Sequence, residues 1–277
     1  MQLSWDPTLE VAYEEAIKNA ARRFVRNYYT IEESFDVISI LFSIQPKAKT
    51  VGERRIQIVD MATDQIRTII SYAAADAHTQ ERIKFYHTIS KQPGFKASAG
   101  TMFKRFFLSW LTSNPHLNVE PLHCSPAIAC QSDLQIPVCG EEQTNIFSSL
   151  TALRNINVDK LPLCLLPASQ NFTAIDAIIF TNQLIITVQV TISKKHNVKK
   201  GGLTNIERSI SPEIRKDRKW CHAFITDNEG KTVSLCHQTL NNLPQNTCIY
   251  SGVFDVSQSG ITHEHMKALD KSKVSGS

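Results

Sequence analysis

The stretch Phe172-Thr-Ala-Ile-Asp-Ala-Ile-Ile-Phe180, followed by Thr181-Asn-Gln183 and then Leu184-Ile-Ile-Thr-Val-Gln-Val-Thr-Ile192, decides how the chain reads. β-Branched and aromatic residues dominate both arms, and the polar triplet between them is a turn, so the pattern predicts a β-hairpin. In the second arm Thr187, Gln189 and Thr191 share one face, while Ile186, Val188, Val190 and Ile192 share the other. One polar row on an otherwise apolar strand suggests a central strand with a functional face. The first arm holds a single ionisable residue, Asp176. A carboxylate among isoleucines needs compensation, which a metal ion or a cation supplies.

Downstream, the pattern predicts a helix over 203–210, a strand over 220–226, a short helix near 240–243 and a strand over 246–256. Upstream, Phe103, Phe106, Phe107, Trp110 and Leu111 make a thick apolar stripe on a helix over 97–111. The interval 112–150 has prolines at 115, 121, 126 and 137 and reads as short strands and turns. Helix, hairpin, helix, strand, short helix and strand make a mixed α/β sheet flanked by helices. Helical periodicity over 11–28, 31–44, 55–72 and 80–90 predicts a helical N-terminal segment, and Pro93-Gly94 breaks the run. Arg22, Arg23 and Arg26 lie at the C-terminal end of the first of these helices, where the macrodipole favours cations. The expected organisation is a helical segment over 1–90, an α/β domain over 91–266 and a frayed tail over 267–277.

Composition narrows the function classes. The 277 residues are 42% hydrophobic and 20% charged, which is ordinary for a folded protein. A formal charge of +4 tolerates a polyanionic partner without requiring one. The seven cysteines contain no C-x-x-C pair, which argues for thiols in a reducing compartment. No G-x-x-x-x-G-K-[ST] loop occurs, so the helical segment has no nucleotide-binding loop of that type. The N-terminus lacks the basic and apolar regions of a signal peptide, and no stretch of about 18 apolar residues predicts a membrane span.

Metal-assisted phosphodiester cleavage needs anionic oxygens to hold Mg²⁺ and a nearby cation to orient the attacking water. Two adjacent strands can supply an aspartate, a second oxygen ligand and a lysine two residues further on. Asp176 and Gln189 occupy the first two positions, and Thr191 stands where the lysine is expected. Lys194 or Lys195 could reach back from beyond the strand, with His196 assisting. The plainer reading is that Asp176 and Gln189 bond each other or cap a neighbouring helix. Likewise the run Lys194, Lys195, His196, Lys199 and Lys200 is either a solvated loop or the place where a phosphate backbone lies.

Several stretches resemble the C-terminal endonuclease-like domain of the Crinkler (CRN) effectors of fungi and oomycetes, relatives of the retrotransposon hot-spot proteins. They are Phe85-Tyr86 with Pro93-Gly94, Ala99-Gly-Thr-Met-Phe103, Asn171-Phe-Thr-Ala-Ile-Asp176, Gln189-Val-Thr-Ile-Ser193 with His196, Gly202-Leu203, Trp220-Cys-His-Ala-Phe-Ile-Thr226 and Ile249-Tyr-Ser251. Their order spans roughly residues 55–265. The resemblance implies a restriction-endonuclease-like, PD-(D/E)XK fold. It also implies Mg²⁺-dependent DNA cleavage in the nucleus of a host cell, with Asp176 and Gln189 as metal ligands and Lys194 and Lys195 near the scissile phosphate. Residues 1–90 then look like the remnant of a P-loop ATPase module.

The chain departs from that pattern at two positions. Lys104 stands where the family helix carries a metal-holding glutamate, and Thr191 replaces the strand lysine. A lysine at position 104 either repels Mg²⁺ or pairs with Asp176 in its place. The alternative expectation is therefore a catalytically degenerate nuclease fold that binds DNA or a host nuclear protein.

Overall fold

A computed structural model describes residues 7–27, 41–46, 57–61, 63–92, 95–112, 116–123, 134–169, 172, 174–192, 195–196, 201–227, 234–235, 247–258 and 261. The chain divides at Arg105/Phe106 into two compact units. The fold as a whole is mixed α/β.

The N-terminal unit carries helices α1 (Pro7–Asn27), α2 (Asp64–Asp76) and α3 (Thr79–Lys91), with α4 (Lys96–Leu111) running through the division between units. Ile17, Ala20, Ala21 and Phe24 recur at helical spacing and are buried, so α1 packs its apolar face on α2 and α3. Phe24 meets Phe85 edge to face with ring centroids 5.1 Å apart, and Tyr86 stacks on Phe103 at 5.9 Å. Thr63 caps α2 by accepting from the Ile66 amide at 3.1 Å. Arg105 is buried, donates to the Thr68 hydroxyl at 3.0 Å and lies over the Tyr72 ring.

This unit is not helical throughout. β1 (Phe42–Pro46) and β2 (Gln57–Met61) pair antiparallel, where the periodicity predicts helix over 42–44 and 57–61. Both segments are only five residues long, too short for a helical period to be told from a strand period.

The C-terminal unit is built on an eight-stranded sheet of order β4-β3-β12-β10-β8-β7-β6-β5. Its strands are β3 (Leu117–His123), β4 (Leu134–Ile136), β5 (Thr144–Phe147), β6 (Leu163–Pro167), β7 (Ala177–Phe180), β8 (Leu184–Val190), β10 (Lys219–Thr226) and β12 (Cys248–Val253). β9 (Lys195–His196) and β11 (Ser234–Leu235) form a separate parallel pair. The hairpin is present as predicted: β7 and β8 run antiparallel, and Thr181 closes the turn by accepting from the Leu184 amide at 2.9 Å. β8 and β10 run parallel, which requires a crossover, and α5 (Gly202–Ser209) with α6 (Pro212–Arg215) supply it.

The crossover covers one face of the sheet. Leu203, Ile206, Ile210 and Ile214 pack over Ile178, Phe180, Ile185, Trp220, Phe224 and Ile249. Burial of such side chains contributes about 1.5–3 kcal/mol each, set against the entropy of ordering the chain. Arg218 ties the crossover to the hairpin, donating to the carbonyls of Thr181 and Ile214 at 2.8 Å each. Beyond β12, Phe254 packs against Phe107 and Trp110 of α4, with ring centroids 5.5 and 5.4 Å apart.

Candidate functional site

Strand polarity gathers the candidate residues along one margin of the sheet. β8, β10 and β12 are parallel and end at Val190, Thr226 and Val253, while β7 runs the other way and begins at Ala177. Asp176 therefore sits at the same margin as the carboxyl ends of three parallel strands. Ligands in open α/β sheets bind outside the carboxyl ends of such strands.

Asp176 is reached through a strained turn. Ala174 has φ of +78°, a left-handed conformation that costs a residue with a Cβ roughly 1–2 kcal/mol. Ala174 and Ile175 are anchored in the core, and the chain then enters β7. Asp176 is 9% exposed; its amide donates to the Val188 carbonyl, and its Oδ2 accepts from the Val190 amide, both at 2.7 Å. The side chain thus satisfies a main-chain donor at the end of a strand, β8, where the plainer reading expects a helix.

The pairing of β7 with β8 ends at Ala177 opposite Val188, and the Asp176 amide reaches the same Val188 carbonyl, so Gln189 lies between the two β8 residues that Asp176 bonds, Val188 and Val190. Gln189 is half-buried, and its Oε1 is fully buried with no hydrogen-bond partner. Leaving a buried acceptor unsatisfied costs about 1–3 kcal/mol, so a donor or cation placed there is stabilised.

The rest of the polar row is arranged differently from its sequence pattern. Thr187 is fully buried; its Oγ1 lies 3.1 Å from the Cys221 carbonyl, to which it donates, and 2.9 Å from His222 Nδ1. With the single hydroxyl proton directed to Cys221, the imidazole Nδ1–H donates to Thr187. His222 is fully buried and its ring meets Phe224 edge to face at 4.6 Å. Thr187 therefore belongs to an internal polar pair, and His222 is the partner that the sequence reading missed. The signal for it was a lone imidazole on a strand of apolar residues. Thr191 is buried and continues the pairing with β10 through its amide, which donates to the Ile225 carbonyl at 2.8 Å.

Lys195 and His196 form β9, pairing with Ser234 and Leu235, so the backbone is ordered here, where the sequence reads as a loop. Ser193, Lys194, Lys199 and Lys200 lie outside the described residues. Lys104 is half-buried on α4 in the N-terminal unit. Among the described residues no group of three or more His, Cys, Asp or Glu side chains is placed to hold a metal ion.

Among the described residues Cys139, Cys164, Cys221 and Cys248 are buried free thiols. Cys221 pairs in register with Cys248, and burial, reinforced by Cys248, pushes the Cys221 thiol up to about 12. A hydrogen bond with Cys139, then burial, raises Cys164 well above the usual thiol range. Among the described residues no helix is long and apolar enough to cross a membrane. No family model, curated protein or solved structure matches the chain.

Proposed function

We propose that the C-terminal unit is a restriction-endonuclease-like module of the Crinkler type that acts on DNA in a host nucleus, with Asp176 and Gln189 as its central oxygen pair. The observation that carries this reading is the buried, unsatisfied Oε1 of Gln189, next in the chain to Val190, whose amide binds the buried Asp176 carboxylate at the carboxyl margin of parallel strands. An aspartate and a second oxygen on adjacent strands of a helix-flanked mixed sheet is the arrangement that the resemblance implies.

These two residues fit a Mg²⁺ ion that takes its remaining ligands from water and phosphate, as Mg²⁺ ordinarily does. Bound there, the ion would supply charge neutralisation at the phosphodiester. Asp176 and Gln189 would hold it, and the Val190 amide keeps the aspartate in place. The stretch that follows β8 carries Lys194, Lys195, His196, Lys199 and Lys200, whose charge suits a phosphate backbone.

A second reading rests on its own observation. Asp176 Oδ2 is already engaged by the Val190 amide, and Gln189 brings no charge. Both features favour a module that binds DNA or a host nuclear protein without cutting. The two readings separate in one assay: purified full-length protein, supercoiled plasmid, and Mg²⁺ or Mn²⁺. Nicking that Asp176→Asn abolishes supports the nuclease. Plasmid left intact at every metal concentration, with DNA still bound, supports the binding module. DNA affinity indifferent to added salt defeats both, because phosphate contacts weaken as salt rises.

A further inference from the structure

We infer that the outer face of α1 is a second phosphate-backbone site, built by Arg22, Arg23 and Arg26 and separate from the Asp176 centre. With Asn19 these residues fall at i, i+3, i+4 and i+7, so they form one stripe along the helix, opposite the buried stripe of Ile17, Ala20, Ala21 and Phe24. All four stripe residues are exposed, and together they line a cleft of about 470 Å³. Arg22 is oriented by Asn19, donating to its Oδ1 at 3.0 Å, and sits 3.5 Å from Glu15 with half of its side chain exposed. Arg23 and Arg26 make no ion pair or hydrogen bond among the described residues.

Favourable placement at a helix C-terminus accounts for one cation in the last turn, and Arg26 holds that place. It does not account for three arginines lining one concavity, of which Arg22 alone has a carboxylate, that of Glu15, beside it among the described residues. A planar guanidinium fork binds the oxygens of a phosphate or a carboxylate two at a time, and a row of such forks along a helix suits the repeating anions of a phosphate backbone. Arg22 and Arg26 are separated by about 6 Å along the helix axis, comparable to the spacing of successive phosphates in an extended strand. The exposed, open stripe suits a backbone laid along it. An anionic membrane fits less well, because the apolar face of α1 is already committed to the core.

The test uses the full-length protein, a fluorescently labelled single-stranded oligonucleotide and a titration of monovalent salt. Arg23→Gln/Arg26→Gln is expected to weaken binding on the order of a hundredfold at about 50 mM salt and to lower the log–log salt slope by roughly 1.5, from about 0.7 per phosphate lost. Arg23→Lys/Arg26→Lys should retain most of the slope, since charge is kept and only the fork is lost. Circular dichroism of both variants checks that α1 is intact. An unchanged affinity and slope in the glutamine variant overturns the site, as does wild-type binding to phosphatidylserine vesicles that exceeds binding to the oligonucleotide. Asp176→Asn leaves this contact in place, so failure of the α1 site and failure of the nuclease reading are scored separately.

Discussion

The Val190 amide donates to the Asp176 carboxylate at 2.7 Å, so one residue both closes the end of a strand and presents an anion at the margin of the sheet. These two roles come apart under substitution. Asp176→Ala removes a charge-assisted bond and is expected to cost about 1.5–3 kcal/mol. Asp176→Asn keeps an acceptor and should cost less, while removing the anion equally well. Urea unfolding beside plasmid nicking reads both effects. Equal stability losses in the two variants would show that the bond to Val190 contributes nothing.

Gln189 makes the opposite prediction. Gln189→Glu supplies a second carboxylate beside Asp176, and metal-dependent nicking should rise about tenfold or more, with a tighter apparent metal midpoint. Gln189→Leu removes the unsatisfied buried oxygen, so stability should hold or improve by up to about 1 kcal/mol while nicking is lost. A Glu variant that nicks no better than wild type would remove position 189 from the centre.

Thr187→Val is nearly isosteric and deletes only a hydroxyl. It leaves the Cys221 carbonyl and His222 Nδ1 without that shared partner, in a fully buried setting. The expected cost is about 1–3 kcal/mol, seen as a lower urea midpoint at unchanged slope. A loss below about 0.5 kcal/mol would mean that the pair is not needed for stability.

Gly252 has no room for a side chain. A Cβ there would lie 2.6 Å from Val119 Cγ1 and 3.2 Å from Ile225 Cδ1. A strand glycine replaced by alanine gains roughly 0.5–1 kcal/mol in chain entropy, but the overlap with stiff branched side chains costs about 1–3 kcal/mol. Gly252→Ala should therefore lower Tm by several degrees, and a raised Tm would refute the packing described between β12 and β3.

Alkaline pH should weaken the fold through Cys221. Its thiol titrates near 12 in the folded chain against 9.0 ordinarily, so between those values the unfolded state has lost a proton that the folded state keeps. Stability from this group is complete below about pH 9 and declines towards pH 12, with a slope of about 1.4 kcal/mol per pH unit. Cys221→Ala should flatten the alkaline limb in urea melts recorded from pH 8 upward. The same burial predicts that native Cys221 resists maleimide and reacts only after unfolding.

The hairpin and the crossover were legible because their apolar residues keep one period over many positions. β7 and β8 fall within the stretches that the pattern assigned to them, and α5 and β10 each begin one residue before theirs. β6 was not legible: Leu163–Pro167 is buried at every position, ends on a proline and shows no alternation, and reads equally as loop or core. β3 and β4 fall in the interval read as short strands and turns, but their bounds and partners were hidden, since β3 contains Pro121 and pairs with β12 from a distant part of the chain. At the site, the sequence singled out Asp176 and the polar row. It could not show that Thr187 turns inward to His222, because that depends on the parallel register between β8 and β10.

The sheet is longest in the middle and ends on its shortest members: β4 has three residues and β5 has four. Gln135 and Asn145 point outward from these terminal strands. Unpaired ribbons of that length give an incoming chain few amides to zip against. Edges this short give the sheet little tendency to recruit copies of itself side by side at high concentration.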